Sequence, residues 1–224
     1  MTDTAEPPAT PVRVFLVDDH PVVREGLSQL INAEAGLTTC GQAKTAAEAR
    51  AAFAAGPPDV AIVDISLDEG SGMDLIKDIR ERYASTKVLV FSMHKESIYA
   101  ERAIRAGATG YVMKGCEPAK VIEAVRKVAA GEVSLSPETS QRILQRMANH
   151  KTPDGSDFSS LTDREIEVFQ WLGNGLAPKE IALRLHLSRK TVEAHRENIK
   201  KKLGCRTSVQ LLQLATRAVE RDKL

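Results

Sequence analysis

Three carboxylates stand at the ends of two short apolar segments in the first half of the chain. Asp18 and Asp19 directly follow one segment, and Asp64 lies near the end of another. If these side chains meet they repel one another, and a hard divalent cation is the usual remedy. Mg²⁺ prefers one or two carboxylates together with water and phosphate oxygens. The residue types therefore indicate a site for Mg²⁺ (or Mn²⁺) that also accepts a phosphoryl group.

A hydroxyl and an ammonium group occupy comparable positions further along the chain. Ser92 follows the next apolar segment, and Lys114 follows the last one. Both groups can bind the remaining oxygens of a phosphoryl group. Each feature alone is more typical of an ordinary turn, helix cap or solvated side chain. Their occurrence at successive segment ends is what favours one common site.

The segments that carry these residues have the composition of buried strands. They are short, rich in Val and Ile and mostly not alternating, as in a parallel sheet that is covered on both faces. The predicted strands are Val12–Val17, Leu37–Cys40, Val60–Ile65, Val88–Phe91 and Tyr111–Met113, and the predicted helices between and after them are 21–34, 46–55, 72–84, 96–106 and 118–130. This order predicts an α/β doubly wound, five-stranded parallel sheet, whose functional groups collect at the carboxyl ends of the strands.

The near-neutral total charge conceals two oppositely charged halves. The chain has 224 residues, with 31 basic and 30 acidic side chains, which is ordinary for a globular protein. Residues 1–150 carry 17 basic and 20 acidic side chains, whereas residues 151–224 carry 14 and 10. An acidic half and a basic half indicate two domains, of which the second faces a polyanion.

The second half has helical patterns and no strand pattern. Thr162 and Glu165 have the spacing of a capping box at the start of a helix. The predicted helices cover about 163–172, Pro178–Leu185, 188–203 and Ser208–Val219. A short helix, a tight turn and a longer basic helix describe a helix-turn-helix, whose second helix reads the major groove of DNA. Before this region, Pro137–His150 is predicted to be one helix and 151–160 a flexible linker.

Residues 12–130 resemble a two-component response-regulator receiver domain, a flavodoxin-like or CheY-like fold. That family has an acidic pair after the first strand, a phosphoacceptor Asp after the third, Ser or Thr after the fourth and Lys after the fifth. The resemblance implies that Asp64 takes a phosphoryl group from a phosphohistidine of a partner sensor histidine kinase. It also implies that three groups bind Mg²⁺ directly: Asp19, Asp64 and the main-chain carbonyl of Ser66. Asp18 would bind the ion through water. Ser92 and Lys114 would stabilise the phosphoryl oxygens.

One loop departs from the pattern of many receivers. The usual spacing of eight from Asp64 to Gly72 is kept, but Asp68 stands where proline is common. Further on, Tyr111 resembles the switch aromatic of the family, and a plain core aromatic at the start of a strand is the alternative. On phosphorylation, Lys114 and Ser92 would move inward and Tyr111 would turn toward the vacated space.

Residues 161–218 resemble the DNA-binding domain of the LuxR family, as carried by response regulators of the NarL/FixJ type. The match runs through LTDREIEV, KEIALRL and LSRKTVEAHRENIKKKLG. It implies that Glu193, Ala194 and Glu197 face base edges. The residues that would grip phosphates and fix the register are Lys179, Ser188, Arg189, Lys190, Thr191, His195, Lys200 and Lys201. For residues 200–202, the alternative to contact with phosphates is a basic run that only faces solvent. The resemblance also implies a homodimer contact within 208–216.

The sequence thus predicts three parts: a receiver domain at 11–131, a linker with a helix and a flexible segment at 132–160, and an all-α, four-helix LuxR-type helix-turn-helix domain at 161–224. We expect a response regulator, not an enzyme, in which phosphorylation of Asp64 switches dimerisation and sequence-specific binding to double-stranded promoter DNA. Two alternatives stay open. One is a phosphorylation-independent transcription factor with a vestigial receiver. The other is a Mg²⁺-dependent phosphatase with Asp64 as nucleophile, although that class commonly has a second acid where this chain has Ser66.

The remaining composition indicates a cytoplasmic protein without a membrane partner. No apolar run approaches the ~20 residues that span a bilayer, and the first residues lack the pattern of a secretion signal. The three cysteines, Cys40, Cys116 and Cys205, are far apart and odd in number. We therefore expect reduced thiols and no structural zinc site.

Overall fold

The computed structural model describes residues 10–149, 158–185 and 187–221. The chain divides into two compact units between Gln145 and Arg146. This division falls inside the predicted linker 132–160, and the domain boundaries themselves stay predictions. Among the described residues, no helix combines the length and the hydrophobicity that a membrane crossing requires.

The first unit alternates strands and helices. Its elements are β1 (Val12–Val17), α1 (Pro21–Asn32), β2 (Leu37–Ala43), α2 (Ala46–Ala55), β3 (Val60–Val63), α3 (Gly72–Arg82), β4 (Lys87–Ser92), α4 (Glu96–Ala106), β5 (Gly110–Met113) and α5 (Pro118–Ala129), and α6 (Pro137–Asn149) follows. All five strands are parallel, in the order β2-β1-β3-β4-β5. Helices α1 and α5 contact each other, and α3 contacts both α2 and α4. The doubly wound α/β class predicted from the sequence is therefore confirmed.

The strand order reverses between β1 and β3, which are neighbours in the sheet. Val17 is paired with Val63, so the next residue of each strand, Asp18 and Asp64, lies at the same sheet edge. The Asp64 amide also donates to the Val17 carbonyl at 2.8 Å. In open α/β sheets the crevice at such a switch point is where ligands bind.

The strands β1, β3 and β4 are apolar because both of their faces are covered. Val14, Leu16, Val60 and Leu89 are fully buried in one continuous core. Burial of such side chains stabilises the fold by roughly 1.5–3 kcal/mol each. The rigid sheet that results fixes the positions of the polar residues at its carboxyl edge.

Two strands end two or more residues away from their predicted carboxyl ends, whereas β4 and β5 differ from their predicted bounds by one residue at an end. β3 ends at Val63 rather than Ile65, because the Ser66 amide donates to Asp64 Oδ1 at 3.0 Å and turns the chain out of the sheet. β2 continues to Ala43, beyond the predicted end at Cys40, with a register shift in its pairing to β1. The early end of β3 places the residues after Asp64 in a loop beside the carboxylates.

An additional chain segment pairs with the open edge of β5. The Tyr111 amide donates to the Ser134 carbonyl at 2.8 Å, and the Ser134 amide donates to the Thr109 carbonyl at 3.1 Å. Two residues later the Ser136 amide donates to Glu96 Oε1 at 2.7 Å. The start of the predicted linker is thus attached to β5 and to the first turn of α4, which sequence reasoning did not predict.

The second unit contains helices α7 (Asp163–Gly173), α8 (Pro178–Arg184), α9 (Arg189–Lys202) and α10 (Ser208–Arg221). Helix α9 contacts both α7 and α8, and α10 contacts α7. This arrangement confirms the predicted all-α helix-turn-helix fold. In the predicted flexible segment 151–160, Phe158–Ser160 form a short 3-10 helix; residues 151–157, and His150 at the end of the predicted sixth helix, lie outside the described residues.

Helix caps and one ion pair with a buried carboxylate position α9. Thr162 and Glu165 form the predicted capping box at the start of α7. The same Glu165 carboxylate accepts a hydrogen bond from Lys202 at 2.6 Å, which ties the start of α7 to the end of α9. Val192 and Ile199 are fully buried, as expected for core residues of an amphipathic helix. The opposite face of α9 is left for other contacts.

Candidate functional site

Four predicted side chains meet at the carboxyl edge of the sheet in the first unit. The side chains of Asp18, Asp19, Asp64 and Lys114 are each no more than 10 % exposed. The Lys114 ammonium lies 2.6 Å from Asp64 Oδ2, with which it forms a hydrogen bond. It lies equally close to Asp18 Oδ2, an ion pair without hydrogen-bond alignment. One ammonium therefore faces two of the three buried carboxylates.

A fifth side chain, that of His20, completes this cluster. His20 Nδ1 lies 2.9 Å from Asp19 Oδ1 and 3.3 Å from Asp18 Oδ1. Its main-chain amide donates to Asp18 Oδ1 at 2.9 Å. Four residues each offer one ligand atom, and these atoms all lie within 4.8 Å of one another: Asp18, Asp19, His20 and Asp64. His20 directly follows the acidic pair in the sequence, and that adjacency was the only available signal for its place in the site.

Burial governs the electrostatics of the pocket. Loss of hydration raises the pKa of Asp64, although the Lys114 ammonium and the Ser66 amide act in the opposite direction. Burial alone would lower the pKa of Lys114, but the neighbouring carboxylates of Asp64 and Asp18 outweigh it and raise that pKa. Lys114 is thus held as a cation, while Asp64 carries a charge that is only partly compensated. A bound cation would supply the missing compensation.

The donor set of the pocket fits a hard divalent cation. It consists mainly of carboxylate oxygens, which are the ligands that Mg²⁺ prefers. Asp18 Oδ2 is buried and makes no hydrogen bond within the described part of the chain. Its close partner is the Lys114 ammonium at 2.6 Å. Because that single ammonium is shared with Asp64, negative charge is left for a cation to compensate. The residues present therefore match a metal site on chemical grounds.

The loop after β4 connects the pocket to the aromatic side chain predicted as a switch. Ser92 is fully buried at the end of β4, and its hydroxyl accepts a long hydrogen bond of 3.4 Å from the His94 amide. Tyr111 is also buried, and its hydroxyl donates to the His94 carbonyl at 2.9 Å. Burial raises the pKa of Tyr111, so it stays a neutral phenol. His94 Nε2 lies 2.5 Å from Ser66 Oγ. The loop after β4 therefore connects Tyr111 to Ser66, which lies two positions after Asp64.

In the second unit, the amino end of α9 presents the predicted phosphate-gripping residues. Ser188 is the N-cap of α9 and accepts from the Thr191 amide at 3.0 Å, and the two hydroxyls are 2.8 Å apart. Most residues of this predicted set are exposed and the rest are half-buried: exposed are Lys179, Ser188, Arg189, Lys190 and Lys201, and half-buried are Thr191, His195 and Lys200. Ala194, which was predicted to face a base edge, is also exposed. A basic, accessible helix of this kind suits the major groove of DNA.

The two glutamates predicted to face bases are paired within the helix. Glu193 makes an ion pair with Arg196 at 2.7 Å, and Glu197 makes one with Lys200 at 3.0 Å. Their side chains are 42 % and 58 % exposed, respectively. The partner side chains, Arg196 and Lys200, are less exposed, at 19 % and 17 %. To contact a base edge, each glutamate would have to leave a half-buried cation.

Two family models match the chain, one for each unit. The model described as the response regulator receiver domain matches residues 14–126. The model described as bacterial regulatory proteins of the luxR family matches residues 159–215. The chain therefore belongs to the two-component response regulators that carry a LuxR-type DNA-binding domain.

Individual relatives agree with this assignment along the whole chain. The DNA-binding transcriptional activator DevR/DosR of Mycobacterium tuberculosis is 36 % identical over 208 residues, which cover 92 % of this chain and 94 % of the relative. A solved LuxR-family two-component response regulator from Aurantimonas sp. SI85-9A1 is 34 % identical, with a TM-score of 0.57, and covers 62 % of this chain and 99 % of that one.

A more distant structure shows the same fold over both units. Salmonella enterica serovar Typhimurium RcsB, solved bound to promoter rprA in the presence of the phosphomimetic BeF₃⁻, is 23 % identical with a TM-score of 0.59. It covers 92 % of this chain and 98 % of its own. The two family matches and the 36 % identical relative make the protein a DNA-binding transcription regulator of the response-regulator class.

Proposed function

We propose that Asp64 is the phosphoacceptor of this response regulator. The observation that carries the proposal is the convergence of Asp18, Asp19 and Lys114 around Asp64 at the switch point of the sheet. In the transfer, an Asp64 carboxylate oxygen bonds to phosphorus while the bond from phosphorus to a histidine nitrogen of the partner sensor kinase breaks. Since all three phosphoryl oxygens need partners, the pocket must supply both donors and positive charge.

The pocket residues divide this work between metal binding and direct contact. Asp19, Asp64 and the main-chain carbonyl of Ser66 would hold Mg²⁺ (or Mn²⁺), with Asp18 acting through water. The metal would supply charge neutralisation for the transferring phosphoryl group. Lys114 would exchange its carboxylate partners for a phosphoryl oxygen, and Ser92 would donate to another.

Tyr111 would act as the switch through its contact with the loop after β4. Its hydroxyl bonds to the His94 carbonyl, two residues beyond Ser92. If the Ser92 hydroxyl moves toward a phosphoryl oxygen, this loop and Tyr111 rearrange together. Such a local charge change biases a two-state element. A buried core role without any movement is the alternative for Tyr111.

The output of the switch is sequence-specific binding of a homodimer to double-stranded promoter DNA. Arg189 and Lys190 would contact phosphates at the amino end of α9, while Glu193, Ala194 and Glu197 would face base edges. One helix-turn-helix offers few contacts, so two copies on adjacent half-sites give the useful affinity. Exposed Val209 and Leu212 on α10 favour a contact between copies there. A regulator of this kind works in the cytoplasm, where the DNA is.

The phosphoacceptor assignment is tested by intact mass and peptide mapping after incubation with Mg²⁺ and phosphoramidate. We expect the wild type and Asp68→Asn to gain one phosphoryl group at Asp64, and Asp64→Asn to gain none. Asp68→Asn is a matched control because it removes an exposed acid from the same loop. An unmodified wild type would favour a vestigial receiver. Repeated turnover of small phosphate esters would instead favour the phosphatase.

A further inference from the structure

The acidic pocket has two chemically different sides. On one side, the Lys114 ammonium contacts the Oδ2 atoms of Asp18 and Asp64. On the other side, the Oδ1 atoms of Asp18 and Asp19 face the imidazole of His20. The oxygens on this second side have a ring nitrogen rather than an ammonium as their neighbour. Because a carboxylate only accepts, Nδ1 of a neutral His20 is the donor in these contacts. A metal ion bound at Nδ1 would take the place of that proton, and Nε2 would then carry the proton of the ring.

The position of the ring suits metal binding. His20 Nδ1 lies 2.9 Å from Asp19 Oδ1. Two adjacent ligands of an octahedral ion, each at about 2.1 Å, are separated by about 3.0 Å. The main chain of His20 is fixed at the start of α1, where its amide donates to Asp18 Oδ1. Its side chain is 64 % exposed, so water can satisfy the second ring nitrogen.

We propose that His20 Nδ1 is a further protein ligand of the metal site, and that the pocket therefore selects Mn²⁺ over Mg²⁺ more strongly than carboxylates alone would. The proposal rests on the proposed function, since it adds a ligand to the same site. Mg²⁺ strongly prefers oxygen ligands, whereas imidazole nitrogen suits first-row transition ions. His20 is thus a residue that determines which cation the receiver uses.

The test is pulsed electron paramagnetic resonance of Mn²⁺ bound to the full-length chain. We expect a directly coordinated nitrogen in the wild type, with a signal that changes when histidine is labelled with ¹⁵N. The signal disappears in His20→Phe and in His20→Asn. It persists in His94→Gln, a matched control because His94 is the histidine that contacts the Ser66 hydroxyl.

A second readout is the ratio of the Mn²⁺ and Mg²⁺ dissociation constants, measured for each variant by competition. We expect His20→Phe to lower the preference for Mn²⁺ about tenfold, the scale on which ligand-sphere changes alter metal affinity. A ratio within one variant is insensitive to partial loss of folded protein. His195→Gln, which changes a histidine on α9 of the second unit, should leave this ratio unchanged.

The outcomes separate this proposal from the function on which it rests. Bound Mn²⁺ without a nitrogen signal, in a protein that still accepts a phosphoryl group at Asp64, would overturn the role of His20 alone. A nitrogen signal that disappears in His94→Gln would overturn it as well. A wild type that binds neither cation and accepts no phosphoryl group would overturn both.

Discussion

At the residue scale, Lys114 is the group that compensates the negative charge of the acidic pocket when no metal is bound. Its ammonium lies 2.6 Å from one oxygen of Asp18 and one of Asp64. Removal of one partner from a buried ion pair costs about 3–5 kcal/mol, because a charge is left uncompensated. We expect Lys114→Met to lower the free energy of unfolding of the first domain by about 3 kcal/mol in the presence of a chelator. Urea denaturation followed by circular dichroism measures this loss.

The stabilisation that added Mg²⁺ gives to Lys114→Met and to the wild type provides a control for this prediction. Since a cation can replace the lost positive charge, added Mg²⁺ should stabilise Lys114→Met more than it stabilises the wild type. Lys77→Met is a suitable comparison, because Lys77 pairs with Asp74 on the exposed surface of α3. Equal stabilities of Lys114→Met and wild type in chelator would contradict the account of the pocket.

The chemistry of the candidate site was more predictable than its contacts. Asp18, Asp19 and Asp64 were assigned from residue type and their position after apolar segments, and the structure places them together. The contact of His20 with Asp19 depends on a side-chain rotamer, which leaves no periodic signal in the sequence. The same holds for His94 and Ser66, whose contact spans two loops.

At the element scale, Gly72 allows the start of α3 to approach the loop that carries Asp64. A Cβ atom at Gly72 would lie 2.1 Å from the Asp64 carbonyl oxygen and 2.6 Å from Ile65 Cα. We expect Gly72→Ala to lower the free energy of unfolding by about 1–3 kcal/mol and to reduce phosphorylation at Asp64. Gly26→Ala in α1 meets no atom within 4 Å and should instead stabilise the protein by up to about 1 kcal/mol. Denaturation and mass spectrometry of both variants check this contrast.

The ion pair between α7 and α9 makes the stability of the second domain depend on pH. Burial alone would raise the pKa of Glu165, but hydrogen bonds from Lys202 and Thr162 outweigh it and hold that pKa below its usual value. A lowered pKa in the folded state gives stability that is present above the ordinary Glu pKa and is lost as the pH falls through the folded-state value.

Glu165→Gln tests this dependence. At neutral pH we expect it to cost about 1–3 kcal/mol, since it removes a charged hydrogen-bond acceptor from a buried site. The difference from the wild type should shrink as the pH is lowered through the acidic range. Trp171, the single tryptophan of the chain and part of α7, reports unfolding by fluorescence. If the difference in the free energy of unfolding between wild type and Glu165→Gln stays constant until the protein unfolds in acid, the lowered pKa assigned to Glu165 is contradicted.

Elements were predictable where their side chains carry a pattern. The strands β1, β3 and β4 were found because both of their faces are buried, which leaves a continuous apolar run. The edge strand β2 is mostly half-buried or exposed, and its sequence pattern was correspondingly weaker. The pairing of Ser134 with Thr109 and Tyr111 escaped prediction, because it uses only main-chain groups. The end of β3 was placed too late, since Ile65 is apolar and buried although it lies outside the strand.

At the scale of the whole molecule, the charge division between the two halves predicts the salt dependence of DNA binding. Each phosphate contact releases counterions, so affinity falls steeply with salt concentration. We expect Arg189→Ala to reduce the slope of log affinity against log salt by about one per protomer. Lys77→Ala, which removes one charge from the first unit, should leave the slope unchanged. Equal slopes for wild type and Arg189→Ala, measured by fluorescence anisotropy, would contradict the placement of α9 on DNA.

The most direct test of the central claim links Asp64 to DNA binding in the full-length chain. DNA affinity is measured with and without phosphoramidate and Mg²⁺, on fragments of the genome that encodes the protein. For the wild type and Asp68→Asn, phosphorylation should raise both the affinity and the fraction of dimer, whereas Asp64→Asn should respond in neither. Equal affinity of phosphorylated and unphosphorylated wild type, or a response that survives in Asp64→Asn, would contradict the account.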